Sequence, residues 1–373
     1  MFSPPPKSGR YNRSTPRPPF YRRARYIYLA LILLLLYIWL SGSSLLSRTP
    51  VHRPSLQYKN VDWSLYAYSS FTTSSAYLCN SVMLFEALSR LGSKADRILF
   101  YPESWDLTVS DSHDRDSQLL VKAQEDYGVK LIPTQMEKAG DETWNASFSK
   151  FLAWDQTQYD RVLHLDSDMT MYKHLDELFM LPGAPIAMTR AYWDLPEKRA
   201  LSSRLVLIEP SHSEYERLMQ AGRTAQSQRG TFDMDSLNRF YDDTALVLPH
   251  LKYGLTSGEF RSQDHKNYLG RSGAAWDPER VMKEISLLHF SDYPIPKPWV
   301  MWPRNLLAEK VPQCKRDGES KEDCRDKKIW LGLYDDFRQR RKDICGLLSV
   351  PAPDWPPPEK SNTTQTLAED SGK

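Results

Sequence analysis

The chain has 373 residues, 40% of them hydrophobic and 26% charged, with a formal net charge of +2. So even a balance of Lys and Arg against Asp and Glu gives no basic stripe for a nucleic acid to follow. The four cysteines, Cys79, Cys314, Cys324 and Cys345, contain no Cys-x-x-Cys pair, which excludes the usual zinc modules.

Residues 1–25 are rich in Pro and Arg and contain no acid. Such a segment cannot bury a core and is expected to be a disordered cytosolic tail. Residues 26–40 (YIYLALILLLLYIWL) are almost all apolar, and counting on to Leu46 gives a stretch near the ~20 residues that span a bilayer. Arginines on its N-terminal side predict that this end stays in the cytosol. A cleaved signal peptide is the rival reading; the long basic lead and the Leu-rich run favour an uncleaved anchor over residues 26–46. The rest of the chain is then expected in the lumen of the secretory pathway.

A polar stem over residues 47–60 leads to a globular unit over 61–350, and a Pro-rich, polar tail over 351–373 is expected to be disordered. Asn145 and Asn362 begin glycan-acceptor triplets, as does Asn12 on the cytosolic side. Within the unit the predicted elements run in this order. A strand at 65–68 precedes a helix at 76–91 and a strand at 97–101. A helix at 117–127, a strand at 130–132 and a helix at 148–157 follow. Strands at 162–165, 186–189 and 205–208 come next, then helices at 214–221 and 234–241. Strands at 246–248 and 285–289 close the series. Pro102, Pro133, Pro210 and Pro249 each close a strand, where a missing N–H does least harm. Alternation of this kind predicts an α/β sheet with parallel strands at its centre. Cys314 and Cys324 bracket the charged loop KRDGESKED, a setting for a surface disulfide worth roughly 2–3 kcal/mol in the chain-entropy model. Cys79 sits in an apolar helical pattern and reads as a buried thiol.

The richest stretch is 159–179, YDRVLHLDSDMTMYKHLDELF. An apolar run ends in two carboxylates one residue apart, Asp166 and Asp168. At the carboxyl end of a strand in an open α/β sheet, this pair suits a hard divalent cation able to clamp a diphosphate. The ordinary alternative is an acidic turn.

Its surroundings are more specific. FSKFLAWDQTQYDRVLHLDSDMTMYKHLDELFMLP at 148–182 resembles the glycogenin-like glycosyltransferases of family 8. FDMDSLNRFY at 232–241 and LLHFSDYPIPKPW at 287–299 are similar to two further motifs of that family, in the same order. The membrane anchor, the Leu-Cys-Asn-Ser run after Tyr77 and the Asp-Met-Asp variant look most like fungal Golgi N-acetylglucosaminyltransferases. The resemblance implies a Rossmann-like, GT-A type nucleotide-sugar domain and retaining transfer from a UDP-sugar. It implies Asp166, Asp168 and His289 as ligands of Mn²⁺ (or Mg²⁺); an imidazole among carboxylates favours Mn²⁺ over Ca²⁺. Without the motif, His289 reads as a structural histidine beside Phe290.

By the same resemblance Lys297 lies on the diphosphate, Lys150 by the donor sugar or neighbouring carboxylates of the chain, and Tyr77 against the uracil. Asp233 lies near the anomeric carbon, as nucleophile or as acceptor-orienting group, and Asp235 makes a polar donor contact. From residue type alone, Lys297 and Lys150 are surface lysines, Tyr77 a core residue, and Asp233 and Asp235 helix N-caps. Two departures stand out. The step from His289 to Lys297 is longer than the family's and contains Asp292, Pro294 and Pro296, so the loop must bulge. Ser202-Ser203-Arg204 replaces a smaller family motif and predicts a remodelled sugar pocket. The reading is therefore a Golgi type II membrane enzyme, with UDP-sugar as donor and a glycan or glycoprotein as acceptor. UDP-glucose or UDP-galactose is the alternative donor, and a catalytically weak lumenal binding protein is the alternative function.

Overall fold

The computed structural model describes residues 31–33, 60–135, 148–194, 196–225, 232–270, 275–301, 303–317, 321–347 and 350–351. The chain divides into two compact units, Met1–Val61 and Asp62–Lys373. In the first, residues 31–33 are helical. Among the described residues no helix is long and apolar enough to cross a membrane. The expected span at 26–46 lies outside them except for 31–33. The basic tail, the stem apart from residue 60, the C-terminal tail apart from residue 351, and the acceptor triplets at Asn12, Asn145 and Asn362 also fall outside.

The second unit is built on a seven-stranded mixed sheet. Its strands are β1 (Tyr66–Phe71), β2 (Asp96–Pro102), β3 (Val129–Thr134), β4 (Arg161–Leu165), β6 (Ile186–Arg190), β7 (Leu201–Ile208) and β8 (Leu246–Leu248). β5 (Met169–Met171) belongs to a second sheet. The order is β3-β2-β1-β4-β7-β6-β8. Strands β3 to β4 are parallel. β7 then runs antiparallel to both β4 and β6. β6 and β8 are again parallel, so the expected parallel centre is one half of the sheet, and the single strand β7 runs against its neighbours on both sides.

Period-two alternation sorts the strand residues onto two faces. Tyr68, Leu99, Leu163 and Leu205 face one core with helices α1 (Ser75–Arg90) and α2 (Arg115–Tyr127). Ala67, Ile98, Val162 and Val206 face the other, with Trp154, Leu218 and Leu237. That second layer consists of a 3₁₀ turn, Lys150–Asp155, and helices α3 (His212–Ala225) and α4 (Asp233–Tyr241). Each fully buried large apolar side chain contributes roughly 1.5–3 kcal/mol. α2 starts where the Asp114 carboxylate accepts from the Ser117 N–H and stops at Gly128, whose φ of 62° needs glycine.

The expected helix over 148–157 is a short 3₁₀ turn instead. Four short helices, α5 (His250–Tyr253), α6 (Lys266–Leu269), α7 (Pro278–Glu284) and α8 (Arg304–Lys310), precede a long one, α9 (Arg325–Cys345). α9 packs along α1: the Arg341 guanidinium donates to the Ala76 carbonyl at 2.9 Å and to Asn80 Oδ1 at 2.8 Å.

Cys79 is not a thiol, as its sequence context suggests. It is bonded to Cys345 across 266 positions, which staples α1 to the end of α9. A closed loop that long stabilises by about 5 kcal/mol in the chain-entropy model. The expected Cys314–Cys324 bond is present, and it closes a small hairpin, Lys315–Asp317 with Lys321–Asp323.

Candidate active site

Two backbone pairings assemble the site. β4 delivers Asp166 just past its carboxyl end, where the Asp166 N–H donates to the Arg204 carbonyl of β7 at 3.0 Å. The chain then turns into β5, which pairs antiparallel with β10 (Leu287–His289), itself flanked by β9 (Leu255–Thr256), so that His289 stands opposite Met169. The Phe290 N–H extends the ladder to the Asp168 carbonyl at 3.0 Å. Strand register therefore sets His289 next to Asp168, one position along from its partner Met169.

The side chains converge accordingly. His289 Nε2 is 2.9 Å from Asp168 Oδ1 and 3.9 Å from Asp166 Oδ2. One ligand atom from each of the three lies within 4.8 Å of the others. Two hard oxygens and an imidazole fit a first-row divalent cation. Burial, reinforced by the Arg204 charge, pushes the His289 pKa down to about 3, so the ring is neutral as a ligand must be. Its Nδ1 is buried with no hydrogen-bond partner among the described residues.

Burial also acts on the two carboxyls, with opposite outcomes. At Asp168 it is overridden by His289 and Lys297, which hold the group well below the usual range. Lys297 Nζ lies 2.5 Å from Asp168 Oδ2 and 2.6 Å from the Phe290 carbonyl. At Asp166 burial dominates, with Asp168 adding repulsion against the Lys150 attraction, and the group rises to about 6.

Lys150 is not a surface lysine. It is 3% exposed, with Nζ at 2.6 Å from Asp233 Oδ2, 3.1 Å from Asp166 Oδ1 and 2.8 Å from the Ser203 carbonyl. Burial would lower its pKa, but Asp166 and Asp233 raise it to about 12, so it stays an ammonium. Asp233 is the first residue of α4, and Lys150 thereby ties that helix to the end of β4.

Tyr77, in the first turn of α1, is 38% exposed and meets Trp299 edge-on at 5.3 Å. Burial and the fields of Asp168 and Asp166 push its hydroxyl up to about 12, which ties it electrostatically to the carboxylates. Asp235 stands apart. It is exposed, and its carboxylate accepts from the Phe232 N–H at 2.9 Å, capping α4.

The lengthened loop after His289 keeps Lys297 on Asp168 because its extra residues are anchored. Asp292 bonds Arg261 at 2.5 Å and the Trp330 indole N–H at 2.7 Å. Gly258 allows the facing turn to approach; a Cβ there would lie 3.0 Å from the Ser291 carbonyl oxygen. Sequence reading missed Trp299 as the partner of Tyr77 and the Ser203 carbonyl as the third partner of Lys150. The Lys-Pro-Trp run pointed to the first; a backbone acceptor leaves no mark in a sequence.

No protein-family model matches the chain. Among curated proteins it is 49% identical over 339 residues to "Glucose N-acetyltransferase 1" of Aspergillus fumigatus, covering 87% of each chain. The chain belongs to that family. The protein of the same name from Gibberella zeae is 45% identical over 301 residues, covering 79% of this chain and 66% of its own. A solved structure, the glycosyltransferase GlyE of Streptococcus pneumoniae, is similar at TM-score 0.47 and 18% identity, over 73% of this chain and 60% of that one. As a member of this family the protein is a glycosyltransferase.

Proposed function

We propose that the protein is a metal-dependent, retaining N-acetylglucosaminyltransferase, taking its sugar from UDP-N-acetylglucosamine and delivering it to a glycan. The observation that carries this reading is the convergence of Asp166, Asp168 and His289. Those three would hold the cation, with Mn²⁺ favoured by the imidazole. When bound, such a cation supplies Lewis-acid stabilisation to a departing diphosphate.

The chain's own residues do the rest. Lys297, held at Asp168, adds a positive charge where the leaving diphosphate becomes negative. Tyr77 offers a partly exposed ring to the base, steadied by Trp299. Lys150 pairs with the Asp233 carboxylate and fixes it next to Asp166 at the end of β4. Asp235, occupied in capping, supports α4 and through it Asp233.

The relatives' name couples glucose with an N-acetyl group, which favours N-acetylglucosamine over glucose or galactose. We further propose a Golgi location, as a single-pass type II membrane protein anchored by residues 26–46. Two disulfides support an oxidising compartment for the catalytic unit.

A donor screen tests the reading. The full-length chain in detergent is expected to release UDP from UDP-N-acetylglucosamine in the presence of Mn²⁺ and to lose that activity in EDTA. Turnover of UDP-glucose alone would sink the N-acetylglucosamine assignment; turnover unaffected by EDTA would sink the metal dependence.

A further inference from the structure

Beside the carboxylate site lies an open cleft of about 450 Å³. Trp193, Arg204, Gly258, Asp264, Asn267 and Ser291 are among the residues lining it. Asp166, Asp168, His289, Lys297, Tyr77, Lys150 and Asp233 do not line it, so the cleft shares no side chain with the constellation assigned above to the nucleotide-sugar. It borders that constellation twice. Arg204 gives its carbonyl to the Asp166 N–H, and Ser291 follows His289 by two positions. A second substrate seated there would lie next to the first without competing for its ligands.

The lining bears on the chemistry such a substrate would need. Arg204 lays its guanidinium on the Trp193 ring, with Cζ 3.8 Å from the centroid, and donates through Nη2 to Ser291 Oγ at 3.0 Å. Its Nη1 is buried and has no hydrogen-bond partner among the described residues, so this residue of the cleft lining keeps an unmet N–H group. Trp193 is fixed by that stack yet remains 38% exposed. Tyr293, at the rim, is 84% exposed.

The cleft's charged groups are already engaged by partners. Arg261 lies 2.5 Å from Asp292, and the Glu259 carboxylate is hydrogen-bonded to His265 at 2.7 Å. Asp264 lies 3.2 Å from Lys266. The Arg204 charge faces the fields of Asp168 and Asp166. An anionic ligand would meet the Arg204 guanidinium only in competition with the fields of Asp168 and Asp166, would face Glu259, Asp264 and Asp292 in the lining, and would have to lose its hydration. Aromatic faces, amide and hydroxyl groups and one spare N–H donor suit an uncharged ring with an apolar face and polar edges.

We infer that this cleft seats the acceptor, that the acceptor's docking unit is a neutral saccharide, and that the Arg204–Trp193 stack determines this specificity. The inference rests on the transferase reading given above. Trp193 supplies the platform, and Arg204 holds it flat and donates to a sugar oxygen.

The test uses the full-length enzyme with UDP-N-acetylglucosamine and Mn²⁺. Acceptors are neutral hexose and N-acetylhexosamine oligosaccharides, and the same compounds carrying one phosphate monoester. Neutral acceptors are expected to show the higher kcat/KM. Trp193→Ala is expected to raise the acceptor KM about tenfold, with no matching rise in the donor KM; Arg204→Met, whose charge also reaches His289 and the aspartates, is expected to raise the acceptor KM by a similar factor. Trp193→Phe keeps an aromatic face and is expected to recover most of the loss. A preference for the phosphorylated acceptors, or a rise in the donor KM instead, would overturn the assignment.

Saturation-transfer NMR with a neutral oligosaccharide keeps the inference separate from catalysis. Contact with the wild-type chain that is lost in Trp193→Ala supports it, even where no donor is turned over. Equal contact in both chains, or none in either, overturns it. Absence of UDP release with every donor would instead count against the transferase reading.

Discussion

Asp168→Asn is expected to lower sugar transfer by about 10³-fold while the protein still folds. Asn keeps the volume and one oxygen but loses the charge that a divalent cation needs. Asp168 is also the point on which His289 at 2.9 Å and Lys297 at 2.5 Å converge, so its loss disturbs both. The fold tolerates the change because the Lys297 side chain is 34% exposed and can turn to solvent. Initial rates with UDP-N-acetylglucosamine, read beside a melting curve, check this. A rate within twofold of wild type in a folded variant would remove the carboxylate pair from the chemistry.

Lys150→Met is expected to act on stability as well as on rate. The ammonium it removes is 3% exposed and serves Asp233 at 2.6 Å and Asp166 at 3.1 Å. Removing one partner of a buried ionic group typically costs about 3–5 kcal/mol, because the remaining charge is left uncompensated. Transfer is expected to fall by at least about 10²-fold as Asp233 loses its fixed position.

The pH dependence has a definite sign. Asp166 already sits at about 6 in the wild type, held up by burial. Without the Lys150 ammonium, which pulls it down, Asp166 rises further above its unfolded value, so the folded state binds protons more tightly than the unfolded one. A carboxyl of this kind weakens the fold when ionised, and the weakening fades as pH falls through its folded pKa. The loss in Tm relative to wild type should therefore be large near pH ~8 and shrink towards pH ~5. An equal loss at both would show that Lys150 is filling space rather than balancing charge.

Much of this arrangement is legible in the amino-acid order, and the reason differs from element to element. β1, β2, β4 and β7 announce themselves as apolar runs because both of their faces are buried, in separate cores. Asp166 and Asp168 follow such a run, where an open sheet keeps its ligands. His289 could be linked to them only through motif order, since the β5–β10 pairing joins two strands of three residues each.

Other features were hidden for physical reasons. An apolar helical pattern says that Cys79 is buried but not what lies opposite, and Cys345 is 266 positions away. α9 was passed over because its Lys, Arg and Asp residues dominate the composition, although Trp330, Leu333, Tyr334 and Phe337 recur at helical spacing. Lys150 reads as a surface residue by type, and only the two carboxylates brought by β4 and α4 make its burial tolerable. The anchored bulge between His289 and Lys297 depends on Arg261 and Trp330, neither of which is near it in sequence.

The central claim is that two aspartates and one imidazole of this chain hold a single divalent cation. Electron spin-echo spectroscopy of Mn²⁺ bound to the full-length protein with UDP reads that imidazole directly, through the modulation from its coordinated nitrogen. The account predicts the nitrogen signal in the wild type and its disappearance in His289→Ala. An unchanged signal in that variant, or a wild-type spectrum with no nitrogen coupling, would contradict it.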